Sequence, residues 1–108
     1  MPHDVVPEEL DIAIGIDRIQ EMTTLSIRRP KSTWAGLRSF VADGELVIGF
    51  DPDCPAFFWL AAQGGYGIQS AAGASELAAC MLLGEPLSDG LRAQGVQPEL
   101  LSPSRLLI

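Results

Sequence analysis

Phe57-Phe58-Trp59-Leu60-Ala61-Ala62-Gln63-Gly64-Gly65-Tyr66-Gly67-Ile68-Gln69-Ser70 is the stretch on which the reading of this chain turns. It opens with a dense apolar and aromatic run, too short for a helix and bounded by turn residues, which predicts a buried strand. Gly64, Gly65 and Gly67 follow. Next comes Ala71-Ala72-Gly73-Ala74-Ser75-Glu76-Leu77-Ala78-Ala79-Cys80-Met81-Leu82-Leu83, a small-residue helix ending at Gly84. A strand, a glycine loop and a helix together bring bare backbone N–H groups up to a ligand. The first N–H groups of a helix have no internal partner, and the helix dipole makes that end partly positive. Glycines let a ligand approach without striking a Cβ atom. Such a site suits an anion or a polarised carbonyl.

Working back from the strand, Asp51-Pro52-Asp53-Cys54-Pro55 is a turn and Leu46 to Phe50 the preceding strand, so the two run side by side. Asp43-Gly44 marks another turn between apolar runs. Ser32 to Phe40 reads as extended. Thr23 to Arg29, rich in β-branched residues and alternating, reads as a strand that Pro30 ends or confines to an edge. Glu8 to about Met22 reads as a helix: Pro7-Glu8-Glu9 suits a helix start, and Ile12, Ile16 and Ile19 share one face. A strand competes there, because Leu10, Ile12, Ile14 and Ile16 also alternate. Met1 to Pro7 is an extended lead-in. Beyond Gly84 the sequence predicts a short helix around Leu91, a turn over Pro98 to Leu101 and an irregular tail from Ser102 to Arg105. The expectation is an α+β fold: a small antiparallel or mixed sheet of about four strands, an N-terminal helix and a glycine-loop-led helix, in a single domain spanning residues 1–108.

Composition narrows the function. The chain has 108 residues, 47 % of them apolar, and a formal net charge of −7. That acidity argues against a nucleic-acid partner and an anionic membrane surface. The longest apolar run, Ala56 to Ala62, cannot cross a bilayer. The start lacks the basic and apolar regions of a signal peptide, and two distant cysteines with one distant histidine give no metal spacing; a cytoplasmic location and no metal are the expectations.

Gly65-Tyr66-Gly67-Ile68-Gln69-Ser70 nearly spells the dinucleotide fingerprint, with Ser70 in place of the third glycine. A nucleotide-binding βαβ unit needs a further parallel strand after the helix, and Gly84-Glu85-Pro86-Leu87-Ser88-Asp89-Gly90 is turn material instead. A plain packing loop beneath a helix is the other reading. Arg38 lies among Trp34, Ala35, Gly36, Leu37 and Phe40, where it is either a bidentate carboxylate ligand or a surface arginine on an alternating strand. Tyr66 either lines a ligand site or caps the core. Trp34, Phe57, Phe58 and Trp59 read as core, and Asp51 and Asp53 as turn residues rather than a catalytic pair.

Three pieces taken together, Trp34-Ala35-Gly36-Leu37-Arg38, then Asp43-Gly44 with Val47-Ile48-Gly49, then Ala61 through Gln69, resemble the C-terminal part of FAD-dependent oxidoreductases of the D-amino-acid oxidase and glycine oxidase family, in particular its D-amino-acid dehydrogenase-like members. The match runs from Trp34 to about Gly84, with looser similarity in the flanks. The resemblance implies that Arg38 grips a substrate α-carboxylate, with Tyr66 on the substrate side. It implies that Gly36, Leu37, Gly64, Gly65, Gly67, Ile68 and Gln69 face the flavin, where N–H groups favour the charge of its reduced form. Ser39 and Leu46 stand where many members have proline. The family's N-terminal Rossmann half, which holds the FAD phosphates, has no counterpart here. The chain is therefore expected to be a subunit, a truncated gene product or an excised C-terminal third of an oxidoreductase, incomplete as a flavoprotein and holding FAD only beside a Rossmann-containing partner. The other reading is a catalytically silent protein that keeps the fold and associates through the surface left uncovered, as a homodimer or larger assembly.

Overall fold

A computed structural model describes residues 3–107. By its backbone contacts the chain divides into two compact units, Met1–Leu37 and Arg38–Ile108. The boundary falls inside the stretch 34–38 read above as one piece.

The first unit holds one helix, α1 (Glu9–Met22). Glu9 and Asp11 lie in its first turn, where negative charge meets the positive end of the dipole. Ile12 and Ile16 are half-buried and no residue of α1 is fully buried. The helical reading of this segment therefore holds over the alternating one. The strand expected over Thr23 to Arg29 does not form. The side chain of Thr23 donates to the Ile19 carbonyl (2.7 Å) and accepts from the Leu25 N–H (3.2 Å), while the Ile27 N–H donates to Gln20 Oε1 (2.9 Å). These N–H donors are thus taken by side chains at the end of α1 rather than by a neighbouring strand.

The second unit is built on a hairpin of β1 (Val47–Phe50) and β2 (Phe58–Ala61). They pair antiparallel, with Ile48 opposite Leu60 and Gly49 opposite Trp59. Asp51 makes the turn. Its Oδ1 accepts from the N–H groups of Asp53 (2.9 Å) and Cys54 (2.8 Å), and its Oδ2 from the Trp59 indole N–H (2.8 Å). This Asx turn reverses the chain in few residues. α2 (Gly67–Leu83) follows and ends in left-handed Gly84 (φ 67°). The Glu85 N–H there reaches back to the Cys80 carbonyl (2.9 Å), closing the last turn. α3 (Asp89–Ala93) starts at Ser88, whose side chain accepts from the Leu91 N–H. Two 3-10 turns, Pro98–Leu100 and Pro103–Leu106, complete the chain, the second where an irregular tail was expected.

The fold is α+β, but the expected four-stranded sheet is corrected to two strands. The extended run before Val47 pairs with nothing in ladder fashion; Ser39 only lends its carbonyl to the Gly64 N–H (3.1 Å). Alternating apolar residues specify a strand only when a partner backbone lies alongside, and neither 23–29 nor 32–40 has one. Ile48, Leu77, Ala78, Cys80 and Leu91 form the core, with Leu46, Phe58, Ala74 and Met81 packed against it. Of the aromatic residues expected inside, Phe58 is half-buried while Phe57, Trp59 and Trp34 are exposed. A two-stranded sheet has too little area to cover Phe57 and Trp59.

Candidate functional site

α2 begins at Gly67, three residues before Ser70, so the last glycine of the loop is already helical. Tyr66 is its N-cap residue, and the Ser70 N–H and hydroxyl both bond the Tyr66 carbonyl. The N–H groups of Gly67, Ile68 and Gln69 have no intrahelical partner by helix geometry. No other backbone bond to them occurs among the described residues. Ile68 projects into solvent, 98 % exposed.

Arg38 lies beside this loop. Its Nη1 is 3.2 Å from where a Cβ on Gly65 would sit, so loop and guanidinium are in contact because position 65 is glycine. The side chain is exposed, and neither ion pair of the described residues includes it. Arg38 and the N terminus of α2 thus both bring positive charge to the loop, and no ion pair among the described residues takes up the guanidinium.

Gly64 has φ +52°, and a Cβ there would come 2.8 Å from Cε1 of the Phe40 ring. Both the backbone conformation and the contact demand glycine. Gly64→Ala is expected to lower stability by about 1–2 kcal/mol through the left-handed backbone alone. Thermal melts of Gly64→Ala with and without Phe40→Ala separate that part from the clash; full rescue by the second change would refute the backbone share. Two residues earlier, buried Ala62 also has positive φ (58°), so the strand leaves β2 through a strained bend.

Tyr66 turns its hydroxyl inward along the surface and donates to the Gly44 carbonyl. The phenol therefore ties the glycine loop to the Asp43-Gly44 turn. Gly36 and Leu37 close the first unit, both exposed, with nothing within 4 Å of a Cβ built on Gly36. Of the residues singled out in the sequence, the structure brings together Arg38, Gly64, Gly65, Tyr66 and the start of α2.

Sequence reasoning missed Arg105. Its Nε donates to Asp43 Oδ2 (2.8 Å), its Nη2 to Asp43 Oδ1 (3.1 Å) and the Glu45 carbonyl (3.2 Å), and its Nη1 to the Ser102 carbonyl (3.0 Å). This clasp joins the end of the chain to the turn that also holds Tyr66. A partner 62 positions away leaves no local signal. The bond from Arg105 holds the Asp43 carboxyl below its ordinary value of 3.8, helped by the Glu45 N–H. The Trp59 indole does the same for Asp51. A carboxyl whose folded pKa is depressed adds stability above its unfolded value, and that stability is lost as pH falls through the folded value. Asp43→Asn is therefore expected to be less stable than the parent chain at neutral pH, with the gap closing below about pH 3.8. Acid titration followed by circular dichroism measures this, and a gap independent of pH would refute it.

An open cleft of about 440 Å³ lies on the Trp59 side of the hairpin, lined by Phe40, Val47, Asp51, Ala62 and Leu106 among others. Cys54 is exposed and Cys80 buried, both free. Among the described residues no cluster of His, Cys, Asp and Glu has metal-binding form, and no helix is long and apolar enough to cross a membrane.

No protein-family model matches the chain.

Proposed function

We propose that this chain contributes the substrate-carboxylate arginine and the flavin-facing glycine loop of an FAD-dependent amino-acid or amine oxidoreductase of the D-amino-acid oxidase type. The observation that carries the reading is Arg38: an exposed guanidinium with no acidic partner among the described residues, against Gly65, which lies two residues before the start of α2. Arg38 shares its lack of an ion pair with Arg18, Arg28 and Arg29, and what sets it apart from them is its place against the glycine loop.

The residues present fit the part of a flavin that lies away from its phosphates. Free N–H groups at Gly67, Ile68 and Gln69 favour a polarised carbonyl or a developing negative charge. Gly65 leaves room for the Arg38 guanidinium to lie against the loop, close to those N–H groups. Bound in the complete enzyme, FAD supplies the acceptor for the hydride leaving the substrate α-carbon. Arg38 binds the α-carboxylate bidentately and fixes how the α-carbon is presented. Tyr66 acts through the loop it anchors, since its hydroxyl is already given to Gly44.

A Rossmann-containing flavoprotein supplies the phosphate-binding half in this reading, and the chain alone holds no FAD. The absorption spectrum of the purified chain tests this. It is expected to be colourless alone and to join a yellow complex with such a partner. Stoichiometric flavin on the isolated chain would refute the division of labour, and an Arg38 variant that binds substrate as well as the parent would refute the arginine's role. A second reading, a catalytically silent association protein, is favoured by the exposed apolar residues Phe57, Leu60 and Phe50 around the hairpin. A cytoplasmic location suits either reading, because both free thiols are then kept reduced.

A further inference from the structure

The two edges of the hairpin differ. The Ile48 N–H points away from β2 and donates to the Leu101 carbonyl (2.8 Å), so the chain at Leu101 lies against the outer edge of β1 at Ile48. With Ile48 opposite Leu60, the ladder rule places the backbone groups of Leu60 and Phe58 on the outer edge of β2. The N–H groups of Phe58 and Leu60 have no partner among the described residues. Only the Leu60 carbonyl is touched, by Gln63 Nε2 at 3.4 Å. The edge carries none of the usual protection. Phe57 to Ala62 contains no charge, no proline and no glycine, and Leu60 is 47 % exposed.

We propose that a second copy of this chain covers this edge, β2 pairing antiparallel with β2 about a twofold axis at Trp59. That register is the self-complementary one. Phe58 faces Leu60 of the second copy and Leu60 faces its Phe58, so that four backbone bonds form and the outward groups on both strands are satisfied. Phe58 and Leu60 lie on the core side of the hairpin and make apolar cross-strand pairs there, while the two Trp59 residues meet on the other face. The assembly closes at two because the chain at Leu101, bonded to Ile48, lies against each β1 edge and stands in the way of a further strand, giving one four-stranded sheet rather than a fibre. The half-exposed side chains of Phe57, Trp59 and Leu60 offer roughly 300 Å² of apolar surface per copy at about 200 Å² for each whole side chain. That is less than half of a standard contact of roughly 800 Å² per partner, so the dimer is weak and concentration-dependent. The inference rests on the hairpin alone and stands whether or not the chain serves a flavoenzyme.

Sedimentation of the full chain over a concentration series tests it, with a crosslinking pair to fix the register. Leu60→Pro removes a donor that β1 does not use, so the hairpin survives while the seam loses two bonds per dimer. It is expected to weaken association roughly tenfold or more, with an unchanged circular-dichroism spectrum. In a Cys54→Ser, Cys80→Ala background, Trp59→Cys is expected to form an intermolecular disulfide, because non-bonded antiparallel partners have Cα atoms about 4.5 Å apart. Leu60→Cys, displaced from its own copy in that register, is expected not to. A monomer at every concentration, equal crosslinking at both positions, or a dimer indifferent to Leu60→Pro in folded protein would each overturn the proposal. Should Leu60→Pro unfold, Leu60→Lys takes its place, with the same dissociation expected from two like charges set near the seam.

Discussion

Arg38→Met, in an enzyme reconstituted with a Rossmann-containing partner, is expected to weaken binding of a carboxylate substrate by about 1.5–3 kcal/mol, the worth of a charge-assisted hydrogen bond. In equilibrium terms that is about a ten- to 150-fold rise in the dissociation constant. The stability of the chain is expected to stay within about 0.5 kcal/mol of the parent, as for surface changes that break no network. Arg38 has no ion-pair partner among the described residues to lose, its side chain is exposed, and it lies against Gly65. The expected split, a large effect on binding and a small one on folding, is what separates a ligand-binding arginine from a structural one. Substrate titration monitored through the flavin spectrum gives the first quantity and a chemical denaturation curve the second. A loss felt in folding and not in binding would mean that Arg38 serves the loop rather than a substrate. Arg38→Lys is expected to fall between, because a lysine keeps the charge without the bidentate fork.

Leu77→Ala is expected to cost about 2–5 kcal/mol of folding stability. Ile48 and Leu77 are the two largest fully buried side chains, and they meet where β1 crosses α2. The core around them is small, so little surrounding structure is available to close the cavity. Small domains commonly have only about 5–15 kcal/mol in hand, and each kcal/mol moves the melting temperature by about 4–8 °C at this size. The variant is therefore expected to melt far below the parent, as calorimetry reads directly. Ile68→Ala, at a site almost wholly in solvent, is the matched control and is expected to change little. Comparable losses at both positions would place the stabilising contacts of α2 on its outward face.

The two expectations bear on different parts of one element. Leu77 anchors the middle of α2 to β1, while the start of the helix, at Gly67 to Gln69, is left with unbonded N–H groups beside Arg38. The anchored middle holds the open end in place. Arg38 itself reaches the loop because Ser39 accepts from the Gly64 N–H, and Tyr66 and Arg105 secure the turn on the other flank.

The sequence by itself determined what depends on near neighbours. Pro7 and the acids after it set the start of α1, Asp51-Pro52 the hairpin turn, Gly84 the end of α2, and Ser88 the start of α3. Each of these is decided within a few residues by a cap, an Asx bond or a left-handed glycine. The beginning of α2 was hidden, since the glycines that mark a loop in sequence continue into the first turn of the helix. Only the tertiary structure decided the rest. The stretches 23–29 and 32–40 have the alternation of strands but no backbone to pair with, so the sheet stops at two. The nearness of Arg38 to Gly65, the bond from Tyr66 to Gly44 and the clasp of Asp43 by Arg105 all join residues distant in sequence. Such contacts are chosen by how β1 and α2 pack around Ile48 and Leu77, and the hydrophobic burial that drives that packing carries no direction of its own.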